Sequence, residues 1–310
     1  MNILIGSNGG LTGIYLAKQY RELSDLFLIG ADSSEICTGK FFVDKQVFLP
    51  IATDNLFIEA LIDTLNNNKI DVYIPTHSKE IKVVSMNSEK IKNNTNARFL
   101  VSPIETFMEL ESKLTANKKL SEVGIPVPRL IENYETQYPI IMKKSIGSGS
   151  HGTTIIENEI IHRAYKCTFD DVGFYQMIQG KEFTLDCMFD AKSQLVGFNQ
   201  RQRIKTIGGA VSITKNDNEF DVAPWIDIIS NRWKFCGCVN FQYIVEEGTP
   251  YFIDVNLRFP SGGLPLTVSS GLNVPQLIID ILKDKEVQKF SLPKENNNMT
   301  MYRYFEEIFE

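Results

Sequence analysis

The residues best suited to chemistry lie in one short segment, residues 251–263. Its apolar run places Asp254, Asn256 and Arg258 at every second position and ends in a pair of glycines. Alternate side chains of a β-strand project from the same face, so these three are expected to point into one volume. Carboxylate and amide oxygens are ligands that Mg²⁺ takes beside phosphate oxygens, and arginine binds phosphate or carboxylate through a planar fork. The segment therefore predicts a site for a nucleoside triphosphate.

A second segment combines a lysine with a flexible, glycine-rich loop. The predicted strand 140–143 ends in Lys143, and residues 147–152 follow with three glycines, Ser148 and His151. Glycine lets backbone N–H groups approach phosphate oxygens closely. The lysine precedes the glycines, so the segment is not a P-loop. A flexible hairpin tip is the alternative interpretation, and His151 is better explained as a loop residue than as a base.

A third segment leaves one strand through a glycine turn and enters another strand that begins with an acid. Gln176, Met177 and Ile178 precede the turn, and Glu182 follows it. This arrangement can offer backbone groups to an adenine edge and a carboxylate to ribose hydroxyls, although any hairpin with the same turn has this pattern. Separately, the turn 246–249 pairs the strand of Gln242 with the opening segment, so Gln242 is expected beside Asp254.

The elements that position these residues change character along the chain. Strands at residues 2–5, 26–29, 71–74 and 98–101 alternate with helices at 12–23, 56–65 and from 78 onward. Such alternation predicts a parallel, doubly wound sheet. A boundary falls near residues 102–112. Beyond it, closely spaced strands predict an antiparallel α+β half, with strands at 140–143, 153–156, 174–178, 183–189, 194–200, 239–245 and 251–255.

Composition sets the class of protein. The 310 residues carry a formal charge of −6, which disfavours binding to a phosphate backbone, and no apolar run approaches the length of a membrane span. Five scattered cysteines fit reduced, buried thiols and a reducing compartment. We therefore expect a soluble, cytoplasmic protein with no nucleic-acid or membrane partner.

Taken in order and spacing, these segments resemble the ATP-grasp superfamily, and most closely its carbamoyl-phosphate-synthetase-like and carboxylate–amine ligase branches. The resemblance implies a fold of α/β plus α+β type: a Rossmann-like pre-ATP-grasp domain at residues 1–105 and a two-lobed ATP-grasp domain at 106–310. The small lobe would span about 112–178 and the large lobe about 179–310. Asp254-x-Asn256-x-Arg258 matches the Glu-x-Asn-x-Arg element of the family.

The resemblance also implies roles for individual residues, ATP and Mg²⁺ as cofactors, and small-molecule carboxylate and amine substrates. Asp254, Asn256 and Arg258 would be the catalytic residues. Gln242, Asp254 and Asn256 would bind Mg²⁺. ATP would contact Lys113, Lys143, Ser148, Gly149, Gln176, Met177, Ile178 and Glu182. The glycine loop would fold over the phosphates, and positions such as Glu80 and Gly262 would set specificity. Dimers are frequent among similar proteins, so a homodimer is possible.

Two departures from the family pattern concern the metal site. Gln242 stands where the family usually has an acid, and Asp254 is one methylene shorter than the commoner glutamate. The implied reaction is transfer of a phosphoryl group from ATP to a carboxylate, followed by attack of an amine on the acyl phosphate. A catalytically silent ATP-binding sensor is one alternative. A nucleotide-dependent dehydrogenase is another, based on Asn8-x-Gly10-x-x-Gly13 and Asp32.

Two further segments, residues 201–205 and 261–263, also carry groups that could bind a ligand. Residues 201–205 contain three cations that either line a pocket or form a solvated cluster. The backbone N–H groups of Ser261, Gly262 and Gly263 are expected to face a substrate carboxylate.

Overall fold

A computed structural model describes residues 1–134, 137–147 and 152–310. Its first sheet has four parallel strands in the order β3-β2-β1-β4, at Asn2–Gly6 (β1), Phe27–Asp32 (β2), Lys45–Phe48 (β3) and Val72–Ile74 (β4). The helices around it are Leu11–Arg21 (α1), Phe57–Asn67 (α2), Ser78–Met86 (α3) and Ser88–Asn94 (α4). The predicted parallel sheet is confirmed.

The predicted strand at 98–101 is wrong. Only Arg98 forms a bridge to β4, through Val72. The chain then turns toward the other half of the molecule, where Ser102 Oγ accepts a hydrogen bond from the N–H of Cys236 at 3.1 Å. These contacts take the backbone away from the sheet edge before a strand can continue.

The second sheet is antiparallel, with the order β6-β5-β7. Its strands are Ile140–Lys144 (β5), Thr153–Ile156 (β6) and Val172–Gln176 (β7). Helices Ile104–Leu110 (α5) and Lys113–Glu122 (α6) precede it, and Glu159–Thr168 (α7) connects β6 to β7. The side chain of Ser112 caps α6 by accepting from the N–H of Thr115.

The third sheet has six strands in the order β12-β11-β8-β9-β10-β13, all antiparallel. They are Lys181–Phe189 (β8), Leu195–Ile207 (β9), Ala210–Asn216 (β10), Gly237–Glu246 (β11), Thr249–Asn256 (β12) and Thr300–Tyr302 (β13). The remaining helices are Ala223–Arg232 (α8), Leu264–Ser269 (α9) and Val274–Leu282 (α10), with short 3₁₀ turns at Thr38–Phe42 and Lys294–Asn296.

One predicted end within this sheet was wrong. The strand predicted at 194–200 continues to Ile207, because residues 201–207 pair with β10. The cations of 201–205 therefore belong to a strand rather than to a loop, and Arg201 and Arg203, two residues apart, face the same side of the sheet.

The six-stranded sheet has one apolar and one polar face. Phe183 and Leu185 of β8, Phe241 of β11 and Phe252 of β12 share a buried cluster with helices α5, α6 and α8. The residues between them point the other way. This polar face carries the side chains from which the candidate site is built: Glu182, Thr184, Asp186, Asn199, Arg201, Arg203, Asn240, Gln242, Asp254 and Asn256.

The leading sheet shares its core with a helix from the end of the chain. Residues of α10 and of α1 belong to one hydrophobic cluster, and the Tyr20 hydroxyl donates to the carbonyl of Pro275 at 3.2 Å. The contact fixes the first sheet against the third, which brings the site residues of both together. None of the helices in the described parts of the chain has the length and apolarity that crossing a bilayer requires.

Candidate functional site

The strand β12 and the residues after it separate polar from apolar side chains. Val255 and Leu257 are buried in the apolar cluster, whereas Asp254, Asn256 and Arg258 are partly exposed on the opposite side. A β-bulge at Ile253 accompanies the register shift between Gln242 and the next residue of β11. Such bulges turn side chains toward a site. Arg258 lies two residues beyond the end of the strand.

Asp254 is the centre of the polar face. One carboxylate oxygen lies 3.2 Å from the Nζ of Lys113, and the other accepts a hydrogen bond from the Asn256 amide at 3.1 Å. Gln242 is the direct cross-strand partner of Asp254, which confirms the predicted register. One carboxylate and two amides are thus gathered on neighbouring strands.

Two lysines face this carboxylate from other elements. Lys113 is the first residue of α6, and Lys143 lies on β5. Burial lowers the pKa of Lys143, and the positive charge of Lys113 lowers it further. The carboxylates of Asp254 and Glu182 act in the opposite direction. The four groups therefore share one electrostatic environment, in which a polyanion such as triphosphate would relieve the repulsion between the lysines.

The glycine-rich loop begins beside these lysines. Lys113 Nζ donates to the carbonyl of Gly147 at 2.8 Å, and the N–H of Lys144 donates to the carbonyl of Gly152 at 3.1 Å. Gly152 has a φ of +79°, a conformation that glycine adopts without strain. Three residues singled out above lie outside the described part of the chain: Ser148, Gly149 and His151.

The proposed adenine segment lies where the chain crosses between two sheets. Gln176 ends β7, Met177 and Ile178 form the crossing, and Glu182 follows in β8. The carboxylate of Glu182 lies 2.7 Å from Nε of Arg203, at an angle unsuited to a hydrogen bond. Arg203 is thus the one cation of residues 201–205 placed beside a predicted site residue.

Arg201 is neither a pocket residue nor part of a solvated cluster. It is 2% exposed and holds Asp186 through two hydrogen bonds, of 2.8 and 3.1 Å. Thr267 of α9 donates to the same carboxylate at 2.6 Å. A Cβ at Gly263 would overlap the Arg201 guanidinium, so glycine is required there by close packing.

The glycine turn after β12 is held by hydrogen bonds of its own. The N–H of Gly263 donates to the carbonyl of Pro260 at 2.8 Å, so the expectation that this group faces a substrate is wrong. Arg303 donates to the carbonyl of Gly262 at 2.9 Å. Arg258 donates to the carbonyl of Phe259 at 2.9 Å. The turn is therefore tied to Pro260, just before it, and to Arg303, directly after β13.

Arg258 lies between the two larger of the three cavities that it lines. The smaller of these two, of about 160 Å³, is lined by Lys113, Asp254 and Asn256; the larger, of about 590 Å³, lies against the leading sheet. They share the residues His77, Ser78, Lys79 and Arg258. Sequence reasoning missed His77 and Lys79. The available signal was their place directly after β4, since ligands of parallel sheets bind beyond the carboxyl ends of strands.

The oxygen donors of Asp254, Asn256 and Gln242 fit Mg²⁺ that is bound together with a nucleotide. Among the described residues, no group of three or more His, Cys, Asp or Glu side chains is placed to hold a metal. Magnesium, however, is commonly bound by one or two carboxylates together with phosphate oxygens and water. Asp254 with the amides of Asn256 and Gln242 satisfies that condition only when a nucleotide supplies the remaining oxygens.

Comparisons with known proteins agree with this arrangement. Residues 168–305 match a family described as ATP-grasp in the biosynthetic pathway with Ter operon. No curated protein sequence matches the chain. Among solved structures, N5-carboxyaminoimidazole synthetase from Staphylococcus aureus in complex with ADP has a TM-score of 0.73 and 16% identity, covering 93% of this chain and 78% of that one.

Two other solved structures are similar over nearly the whole chain. The biotin carboxylase domain dimer of Hydrogenobacter thermophilus 2-oxoglutarate carboxylase, in complex with MgADP, ADP and bicarbonate, has a TM-score of 0.72 and 14% identity, covering 96% of this chain and 72% of that one. L-amino acid ligase from Bacillus licheniformis has a TM-score of 0.67 and 15% identity, covering 91% and 74%. At these identities the likeness is one of fold. Residues 168–305 thus match an ATP-grasp family model, and nearly the whole chain shares the fold of these solved structures.

Proposed function

We propose that the protein is an ATP-dependent ligase that activates a substrate carboxylate as an acyl phosphate and joins it to an amine. One observation carries the proposal: Lys113, which is paired with Asp254, and Lys143, from another element, line one small cavity with that carboxylate, on the face that also bears Asn256 and Arg258. Solved structures of similar fold that hold ADP or MgADP, and one of similar fold named as an L-amino acid ligase, support it.

The proposal assigns a task to each part of the site. Lys113 and Lys143 neutralise phosphate charge, and Arg258 binds the phosphoryl group in transfer or the acyl phosphate. Gln176, Met177 and Ile178 contact the adenine, Glu182 the ribose, and Ser148 and Gly149 the phosphates. Asp254, Asn256 and Gln242 hold Mg²⁺, which supplies charge neutralisation on the phosphates. Catalysis then consists of positioning and electrostatic stabilisation rather than covalent chemistry by the protein.

The domain organisation belongs to the same proposal. A Rossmann-like domain at 1–105 would carry part of the acceptor site, and the two lobes at about 112–178 and 179–310 would enclose ATP. Both the second sheet and the third contribute lysines or acids to the site, as a clamp between lobes requires.

Release of ADP tests the proposed reaction. The purified full chain is incubated with ATP, Mg²⁺ and pairs of carboxylates and amines, and ADP is measured with and without each component. We expect ADP release that needs Mg²⁺ and a carboxylate and increases with an amine. ATP binding without release in any pair would instead support a silent sensor, which the single carboxylate of the metal face favours.

Lys143→Ala is expected to weaken ATP binding about 10- to 100-fold. The loss of one charge-assisted contact with phosphate corresponds to about 1.5–3 kcal/mol. Calorimetric titration with a non-hydrolysable ATP analogue measures the effect. Lys118→Ala, an exposed lysine of α6, is the matched control and should bind as the wild type does. Unchanged affinity of Lys143→Ala would remove this lysine from the phosphate site.

A further inference from the structure

The larger cavity has the location of a small-molecule site. It lies beyond the carboxyl ends of β1, β2 and β4, at the edge where parallel sheets bind ligands. Its volume of about 590 Å³ is within the range typical of such sites. It opens onto the metal face through Arg258, so a group bound at that end lies beside the proposed phosphates.

One end of the cavity is cationic. Lys79 and Arg258 line it together with His77 and Ser78, and α3 begins at Ser78. The side chain of Arg258 uses one nitrogen for the Phe259 carbonyl and a long contact to Ser261, which leaves its other N–H groups for a ligand. A carboxylate is the group that fits this end, and the neighbouring metal face is where a carboxylate would be activated.

Asp32 lines the same cavity as these two cations but forms no ion pair with either of them. Asp32 accepts from the N–H of Gly9 and of Ser34, both at 3.0 Å, and it lines the cavity with spare acceptor capacity. The pKa of His77 is lowered by burial and by the charges of Lys79 and Arg258, and Asp32 opposes that shift. Asp32 and the two cations therefore surround one space.

Glu80, the second acid that lines the cavity, is already hydrogen-bonded within the protein. Glu80 is 3% exposed and accepts from the Tyr73 hydroxyl at 2.6 Å and from the Ser7 hydroxyl at 2.8 Å. Burial raises its pKa. Glu80 thus holds the first glycine turn to α3, and Asp32 is the acid available to a ligand.

One stretch of the remaining wall is apolar. Five consecutive or nearby positions contribute to it: Leu49, Pro50, Ile51, Ala52 and Phe57. Ile51 is 58% exposed, although aliphatic side chains gain free energy from being covered. A ligand with an apolar substituent would cover it.

We propose that this cavity binds the carboxylate substrate of the ligase and that this substrate is an α-amino acid with an apolar side chain. Its carboxylate faces Arg258 and Lys79, its ammonium group faces Asp32, and its side chain contacts the wall at Ile51. Activation of the bound carboxylate by ATP rests on the proposed function, whereas binding of the amino acid to the cavity does not depend on it.

Calorimetry on the full chain tests the proposal without turnover. Alanine, valine, leucine and phenylalanine are titrated into the protein saturated with a non-hydrolysable ATP analogue and Mg²⁺. Each is compared with its deaminated acid: propanoate, 3-methylbutanoate, 4-methylpentanoate and 3-phenylpropanoate. We expect at least one amino acid to bind 10-fold or more tightly than its deaminated counterpart. If none does, or if only a dinucleotide such as NAD binds this cavity, the proposal is overturned.

Variants locate the bound groups. Asp32→Asn should weaken the amino acid 10-fold or more and leave its deaminated counterpart nearly unchanged, whereas Lys79→Ala should weaken both. Ile51→Arg, on the exposed wall, should weaken both as well. Leu56→Arg is the matched control: Leu56 is 67% exposed but is not part of the cavity lining, so its replacement should leave the affinity unchanged. Wild-type affinity in both Asp32→Asn and Ile51→Arg would place the amino acid elsewhere.

The two proposals fail in distinguishable ways. If ADP release requires a carboxylate that carries no amino group, the ligase stands and the amino acid assignment falls. If amino acids bind as described but no amine produces ADP release, the binding site stands and the ligase falls.

Discussion

Asp254→Asn is expected to lower the rate of ADP release at least about 100-fold while leaving the fold intact. Removal of one group that stabilises charge in a transition state typically costs about 10²–10³ in rate. Here the loss should be at the upper end, because Asp254 is the single carboxylate of the proposed metal set and also the ion-pair partner of Lys113. Asparagine has nearly the same shape and can retain the contact with Asn256.

The measurement is the ADP release rate as a function of Mg²⁺ concentration. A variant that has lost a metal ligand should need more Mg²⁺ and reach a lower maximum, and thermal unfolding should report an unchanged fold. Asp227→Asn, an exposed acid on α8, is the control and should behave as the wild type does. A wild-type rate and Mg²⁺ dependence in Asp254→Asn would refute the metal assignment.

Arg201→Met is expected to reduce the free energy of unfolding by about 3–5 kcal/mol. Removing one partner of a buried ion pair leaves the other charge desolvated and uncompensated. Both side chains of the Arg201–Asp186 pair are 2% exposed, and the guanidinium also lies against Gly263. Urea unfolding followed by circular dichroism measures the change.

Two further variants separate burial from ion pairing. Arg98→Met breaks another bidentate pair, with Asp284 at 2.6 and 2.7 Å, whose side chains are 46% and 76% exposed. It should cost less than about 1 kcal/mol. The double variant Asp186→Leu/Arg201→Met should cost less than Arg201→Met alone, because no unpaired charge remains. Equal losses in Arg201→Met and Arg98→Met would contradict the role given to burial.

Local periodicity accounts for what was predictable in the site. The side-chain period of a strand is two, so the alternation in residues 251–257 already places Asp254 and Asn256 on one face and Val255 on the other. A short turn joins β11 to β12 and brings Gln242 close to Asp254, although its register alone would pair Gln242 with Ile253. The bulge at Ile253 shifts the pairing so that Gln242 lies opposite Asp254. Likewise, helical segments between short apolar strands were enough to predict the parallel leading sheet.

The errors arose where a contact between distant segments decides the outcome. Residues 98–101 have the composition of a strand, but contacts with Cys236 draw the chain away. Arg201 and Arg203 are two residues apart and alike in sequence. The first is wholly buried and paired with Asp186, which also accepts from Thr267, and the second faces Glu182.

The sequence by itself determined the type of fold and the chemical character of the face on β12, because both follow from side-chain spacing within single elements and short hairpins. Only the tertiary structure decided which cations meet that face. Lys113, from a helix, pairs with Asp254, and Lys143, from another sheet, lines one cavity with both; His77 and Lys79, which follow the leading sheet, lie with Arg258 along another. Such contacts depend on the packing of whole sheets, and residue spacing along the chain carries no record of it.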